Sequence, residues 1–188
     1  MSQLTEAHRQ KEALFKHDPQ SPLTPEQRQT FDGLEYYPEN PALRLITPIE
    51  EYEDKQPVTL ITSTGSAREY LKFGRFSFLV AGQSATLQIY QDPEDGYFFL
   101  PFVDATAPEE TYGAGRYLEI EPAAGGKFLI DFNYAYNPYC AYNDRWSCPL
   151  TPKENRLKVR IEAGEKISKS NLDSFVSREY NGAHRLAR

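Results

Sequence analysis

From Ala42 onward apolar residues recur at every second position, and this period constrains the fold more than any other feature of the chain. Leu43, Leu45 and Ile49 alternate with Arg44 and Glu50, and Val58, Leu60 and Thr62 alternate with Thr59 and Ser63. A period of two sends one face of an extended strand to a core and the other to water. Phe76, Phe78 and Val80 then share a face, Gly82-Gln83-Ser84 supplies a turn, and Ala85, Leu87 and Ile89 return on a common face, which predicts a hairpin. Tyr97 to Val103 is apolar on both faces, as expected of a strand covered on both sides. Pro101 has no N–H for a ladder and predicts an edge or a bulge.

A second hairpin is expected where Arg116 to Glu121 and Lys127 to Tyr134 flank Pro122-Ala-Ala-Gly-Gly126. Only an even register puts Leu118 and Ile120 on the same face as Phe128 and Ile130. That register predicts Tyr117 beside Asp131, Gly115 beside Asn133 and Arg116 beside Phe132. A last strand is expected over Leu157, Val159 and Ile161.

Helices belong to the ends. Leu4, Ala7, Leu14 and Phe15 lie near one face at helical spacing, and Thr24-Pro-Glu-Gln27 carries a capping hydroxyl, a proline at the first helical position and glutamine three after the cap. Gly33 is expected to end that second helix. Thr106 to Thr111 and Thr151-Pro-Lys-Glu154 each suggest a single helical turn, and Ser170 to Tyr180 a C-terminal helix before a frayed tail. The expectation is one mostly-β domain, an antiparallel β-barrel or β-sandwich of seven or eight short strands with N- and C-terminal helices. Residues 1–41 form a helical extension packed on it, 42–166 the β domain, and 167–188 the C-terminal helix and tail.

Composition narrows the function classes. With 21 Lys plus Arg against 27 Asp plus Glu, the net charge of −6 offers no basic field for a phosphate backbone, so nucleic acid is not an expected partner. No apolar stretch approaches the ~20 residues that cross a bilayer, and Met1 to Gln10 lacks the apolar run of a secretory signal. A soluble cytoplasmic protein is expected, in which two cysteines remain thiols. No cofactor is expected, and the sequence does not define an oligomeric state.

Candidate functional residues concentrate between Tyr112 and Glu165. Arg116 enters a strand from the turn Tyr112-Gly-Ala-Gly115, and its planar fork of donors suits a carboxylate or phosphate, or an internal ion pair with Asp131. Gly113 and Gly115 either let backbone N–H groups approach an anion or serve a tight turn. Asp131 and Asn133 point the same way off the core face, to line a cleft with Tyr117 or to hold the backbone of the loop around Asn137-Pro138. Cys140 and Cys148 fit two buried structural cysteines, or a bridge, better than a catalytic thiolate. They fit zinc still less, because the three histidines, His8, His17 and His184, stand at the termini. The leading expectation is a binding module for a small anionic molecule, with Arg116 as anchor, Asn133 and Asn137 as orienting groups, and walls from Tyr112, Tyr117, Tyr136 and Trp146. An enzyme using Asp131 as general base or Cys140 as nucleophile is the second expectation. A scaffold without ligand is the third.

The motifs Tyr112-Gly-x-Gly-Arg-Tyr-Leu118, Asp131-Phe-Asn-x-Ala-Tyr-Asn-Pro138, Cys140-Ala141, Cys148-Pro-Leu150, Asn155 and Ala163-Gly-Glu165 occur together. With Ser21-Pro-Leu23, Phe31-x-Gly-Leu34 and Pro101-Phe-x-Asp104 upstream, the chain from Arg9 to Lys166 resembles the prokaryotic family catalogued as domain of unknown function number 1684. The resemblance implies membership and no agreed activity. Tyr139 stands where the family pattern has proline.

Overall fold

The computed structural model describes residues 2–167. The expected C-terminal helix lies outside them. Helix α1 (Gln3–His17) starts where the Ser2 side chain accepts from the Thr5 N–H, and α2 (Pro25–Thr30) carries the full capping box of Thr24 and Gln27. Nine strands follow among the described residues, one or two more than expected. They are β1 (Arg44–Pro48), β2 (Glu50–Glu51), β3 (Pro57–Ile61), β4 (Ala67–Val80), β5 (Gln83–Gln91), β6 (Phe98–Phe102), β7 (Arg116–Leu118), β8 (Glu121–Ala123) and β9 (Lys127–Asp131). The fold is mostly β, with antiparallel sheets and two helices: β1, β9 and β8 form one sheet, and β2, β4, β5, β6 and β7 the other, with β3 also on β4.

Strand β4 is the spine of the larger sheet. Its first half pairs with β3 from Ile61↔Ala67 to Pro57↔Leu71, and its second half pairs with β5, with Phe76 opposite Leu87 and Phe78 opposite Ala85. The connecting turn is Ala81-Gly82, one residue earlier than expected. Both residues have positive φ (48° and 80°), as a two-residue hairpin turn requires. The charged stretch from Arg68 to Lys72 hid the first half of this strand, which pairs with β3 while much of its side-chain surface faces water.

Pro101 is not on an edge strand. Strand β6 lies between β5 and β7, with Pro101 opposite Tyr117. On the β5 side the ladder stops at Tyr90↔Phe99, and the fully buried Asn155 continues it with its side chain. Asn155 Nδ2 donates to the carbonyls of Gln88 (2.8 Å) and Pro101 (2.7 Å), and its Oδ1 accepts from the Gln88 N–H at 2.8 Å. A buried amide that imitates backbone thus stands where proline cannot donate.

The expected strand over Leu157 to Ile161 does not form as a sheet member. Val159 and Ile161 do point inward, but the backbone partners are mixed: Val159 O accepts from Ala105 N at 2.9 Å and Ile161 N donates to Asp104 Oδ2 at 2.6 Å. Thr151 does not cap a turn either. Its hydroxyl donates to Ala114 O at 3.0 Å, and the 3-10 turn Lys153–Asn155 follows Pro152 without a side-chain cap. Residues 106–111 form turns and no helix.

The two sheets share one aromatic core, in which Phe78 stacks on Phe132 at 5.2 Å and Phe73 packs against Phe98 at 4.7 Å and Phe128 at 6.1 Å. A second cluster fastens α1: Phe15, 1% exposed, packs with Leu23, Tyr112, Cys140, Ala141 and Tyr142, edge-on to Tyr142 at 4.9 Å. Burying that ring contributes about 1.5–3 kcal/mol to holding the helix in place.

Candidate functional site

The register expected around Arg116 is not the one adopted. Strand β7 pairs with β6, and β9 pairs with β1 and β8, with Glu121 opposite Leu129. The even parity of the second hairpin holds, but the strand leading into it belongs to the other sheet. Tyr117 therefore lies opposite Pro101 and bridges Tyr136, not Asp131, and its hydroxyl donates to Pro149 O.

Arg116 cannot anchor a ligand from this position. It is 1% exposed, and both terminal nitrogens of its fork are spent inside the molecule, while Nε is buried with no hydrogen-bond partner among the described residues. Nη1 donates to the carbonyls of Ala163 and Glu165, and Nη2 to Ile161 O at 2.9 Å and Asp104 Oδ1 at 3.1 Å. Its ion-pair partner is Asp104, not Asp131. Burial pulls its pKa down, and the Asp104 carboxylate opposes that shift. The glycine turn before it is structural. The Gly115 N–H donates to Tyr112 O at 2.9 Å, and with φ at 109° a Cβ there would stand 2.7 Å from Phe102 O.

Asp131, Asn133 and Asn137 hold loops. Asp131 Oδ1 accepts from the Asn133 N–H and side-chain amide at 3.1 and 2.8 Å, and Oδ2 is ion-paired with Arg44 Nε at 3.1 Å, so the carboxylate is committed to its own chain. Asn133 Oδ1 accepts from Asn40 N at 2.7 Å and Nδ2 donates to Asn40 O at 3.1 Å, which fixes the approach to β1. Asn137 Nδ2 donates to Glu165 Oε1 and to Lys166 O, both at 3.0 Å. Glu165, fully buried, also accepts from Lys11 Nζ and from Asn137 N, so α1 is tied to the far end of the β body.

The concave surface opens on the other side of these residues. A cleft of about 920 Å³ lies against the inner face of α1 and is lined by His8, Lys11, Tyr36, Arg68, Tyr117, Tyr136, Trp146 and Cys148, among others. Three of the expected site residues, Tyr117, Tyr136 and Trp146, thus come together there, while Tyr112 lies in the buried cluster beneath α1, its hydroxyl 3.8 Å from Cys140 Sγ. Lys11 Nζ sits 5.0 Å from the Tyr136 ring. His8 stacks on Tyr36 with ring centroids 3.6 Å apart and planes 9° from parallel. Burial lowers the His8 pKa, against a hydrogen bond to the Asn133 backbone that raises it. His8 Nε2 and the Tyr36 hydroxyl are both buried with no hydrogen-bond partner among the described residues. Burial, and then the nearby Glu165 and Glu12, raise the Tyr36 pKa, so its hydroxyl stays protonated.

Sequence reasoning missed His8, Lys11, Tyr36, Arg68 and the place of the half-buried Cys148 on the cleft. One signal was available for the helix. On α1 the positions 4, 8, 11 and 15 fall within one narrow face, and Leu4 and Phe15 are the buried residues of this helix, so His8 and Lys11 must look inward between them. Leu14, placed on the apolar stripe by sequence, is 39% exposed.

Both cysteines are free thiols, Cys140 buried and Cys148 half-buried. The Cys140 N–H donates to Cys148 Sγ at 3.4 Å. Donation from the Cys140 thiol to Cys148, together with burial, raises the Cys140 pKa, the reverse of what a nucleophile at Cys140 requires. The same donation lowers Cys148 to about 7, with further help from the Cys140 and Tyr139 backbone N–H groups and Arg68. Among the described residues no group of three or more His, Cys, Asp or Glu side chains converges as a metal site, and no helix is long and apolar enough to cross a membrane.

A model of the family described as "Protein of unknown function (DUF1684)" matches residues 29–166, and the chain belongs to that family. The chain is also similar to an uncharacterised protein of Haloarcula marismortui whose solution NMR structure is known. The two are 37% identical, with a TM-score of 0.67 over 87% of this chain and 92% of that one. No curated protein matches the chain.

Proposed function

We propose that this protein binds a small anionic molecule with a flat apolar body in the cleft against α1. The observation that carries the reading is the meeting of aromatic rings and positive charge in one cleft wall. Two cations line the same cleft. Lys11 spends one donor on Glu165, and Arg68, exposed, donates to Ser147 O at 3.5 Å and interacts with the Tyr70 hydroxyl. The charge anchor is therefore Arg68 with Lys11, in place of Arg116. Tyr136 and Trp146 supply flat walls suited to an aromatic carboxylate.

We also read the two sheets as the layers of a sandwich, with residues 1–41 packed on a β body of residues 42–166. The shared aromatic core and the Lys11–Glu165 tie support this reading.

Thermal-shift screening of carboxylates, phosphates and sugars tests the binding proposal. A true ligand at ~100 times its Kd adds about 2.7 kcal/mol of stability. Arg68→Ala abolishes that gain while leaving the unliganded melting temperature nearly unchanged. A full screen without a response contradicts the reading.

A further inference from the structure

We propose that Cys148 and Cys140 form a redox-active thiol pair in which Cys148, facing the cleft, attacks a hydroperoxide and Cys140 then closes a disulfide. The geometry assigns the order of the two sulfurs. Cys148 lines the cleft and is half-buried, so a small oxidant reaches it, whereas Cys140 is 7% exposed and packed in the cluster beneath α1. The two are already adjacent: the Cys140 N–H donates to Cys148 Sγ at 3.4 Å. Cys148 is held from the other side by its own N–H, which donates to Ser63 Oγ at 3.1 Å, and by the Ser63 N–H on its carbonyl at 2.8 Å. The Arg68 guanidinium, 3.5 Å from Ser147 O, adds positive charge beside it.

These contacts favour the thiolate at Cys148 and the thiol at Cys140, so the accessible sulfur is also the more reactive one at neutral pH. In the first step the Cys148 thiolate attacks the terminal oxygen of the hydroperoxide. The S–O bond forms, the O–O bond breaks, and the departing alkoxide or hydroxide takes a proton from water, leaving a sulfenic acid. In the second step Cys140 gives up its proton and attacks the Cys148 sulfur. The S–S bond forms, the S–O bond breaks, and the hydroxide leaves as water with that proton. Two thiols are oxidised and one peroxide is reduced. An external dithiol reverses the state by exchange, its own sulfurs ending as a disulfide. None of these steps needs the ligand of the binding reading.

The test uses the reduced full-length chain and one equivalent of hydrogen peroxide at neutral pH, followed by alkylation, digestion and mass spectrometry. The expected result is a peptide linkage between Cys140 and Cys148 within one chain, formed at least about tenfold faster than free cysteine is oxidised. Cys140→Ser is expected to stop at a Cys148 sulfenic acid, trapped by a cyclic dione, and Cys148→Ser to leave Cys140 unreacted. If either variant fails to fold, pH-dependent alkylation of the untreated native chain decides the order: Cys148 must react first, with a midpoint near neutrality. Peroxide-treated protein that still takes up alkyl groups at both cysteines overturns the proposal. So does a bridge found only between chains, or a Cys140 that reacts before Cys148.

Discussion

Arg116 Nη2 donates to Asp104 Oδ1 at 3.1 Å, and both side chains are 1% exposed. Around this pair Asp104 also accepts from the Ile161 N–H and from Thr106, and the other arm of the guanidinium reaches the carbonyls of Ala163 and Glu165. This ion pair thus joins backbone bonds such as Ala105 N–H to Val159 O in fastening the irregular 157–165 segment to the sheet. Removing one partner leaves a buried charge uncompensated, so Asp104→Ala is expected to lose about 3–5 kcal/mol in urea unfolding. Arg116→Lys keeps the charge but not the fork, and it too is expected to destabilise the fold.

Gly164 has a φ of 74°, and a Cβ there would stand 2.6 Å from Ala135 O and 2.8 Å from Phe132 O. Those carbonyls belong to the loop that Glu165 and Asn137 clamp. Gly164→Ala is therefore expected to cost more than about 1 kcal/mol, read as a melting temperature at least ~2–4 °C lower. Gly65→Ala, at φ 83° with nothing near its Cβ, meets strain alone and is expected to lose less.

His8 refuses a proton in the folded chain more than it does unfolded, because burial outweighs its neighbours Glu12 and Glu39, and Lys11 adds to the shift. As pH falls through the ordinary value of 6.5, the unfolded chain takes up a proton that the folded chain does not, so stability falls. Above that value His8 contributes no slope. His8→Phe keeps a ring against Tyr36 and removes the titration, so its urea midpoint is expected to change less than the wild type's between pH 7 and pH 5. An NMR titration of the His8 ring should give a midpoint below 6.5.

Asn155→Leu removes the amide that completes the ladder between β5 and β6. It leaves Gln88 N, Gln88 O and Pro101 O without the partner the side chain supplies, each unmatched group costing about 1–3 kcal/mol. Hydrogen exchange at Gln88 is expected to accelerate by orders of magnitude, and aspartate, which keeps only the acceptor, should restore protection at that N–H in part.

The apolar faces of β1, β3, β5 and the second half of β4 were legible because burial sorts residues with a period of two whether or not a ladder forms. The same logic misled at Val159 and Ile161, which face inward on an irregular segment. The capping box at Thr24 is local chemistry and was readable at its site; the matching letters at Thr151 were not, because the Thr151 hydroxyl is claimed by Ala114 O, distant in sequence. The polar motifs around Arg116, Asp131 and Asn137 stood out by their density, yet that density serves loop backbone: a chain with this much irregular structure must satisfy its carbonyls and N–H groups with side chains. What lines the cleft comes from α1, Tyr36 and Arg68, which only the tertiary fold brings to Trp146 and Cys148.

Trp146 is the single tryptophan of the chain and it lines the cleft, so its emission reports the proposed site directly. Titrating an aromatic carboxylate while following that emission is expected to give a saturable change in the wild type. The change should vanish in Arg68→Ala and survive in Arg44→Ala, whose guanidinium serves Asp131 outside the cleft. Flat emission with every anion, or equal saturation in Arg68→Ala and the wild type, would contradict the account.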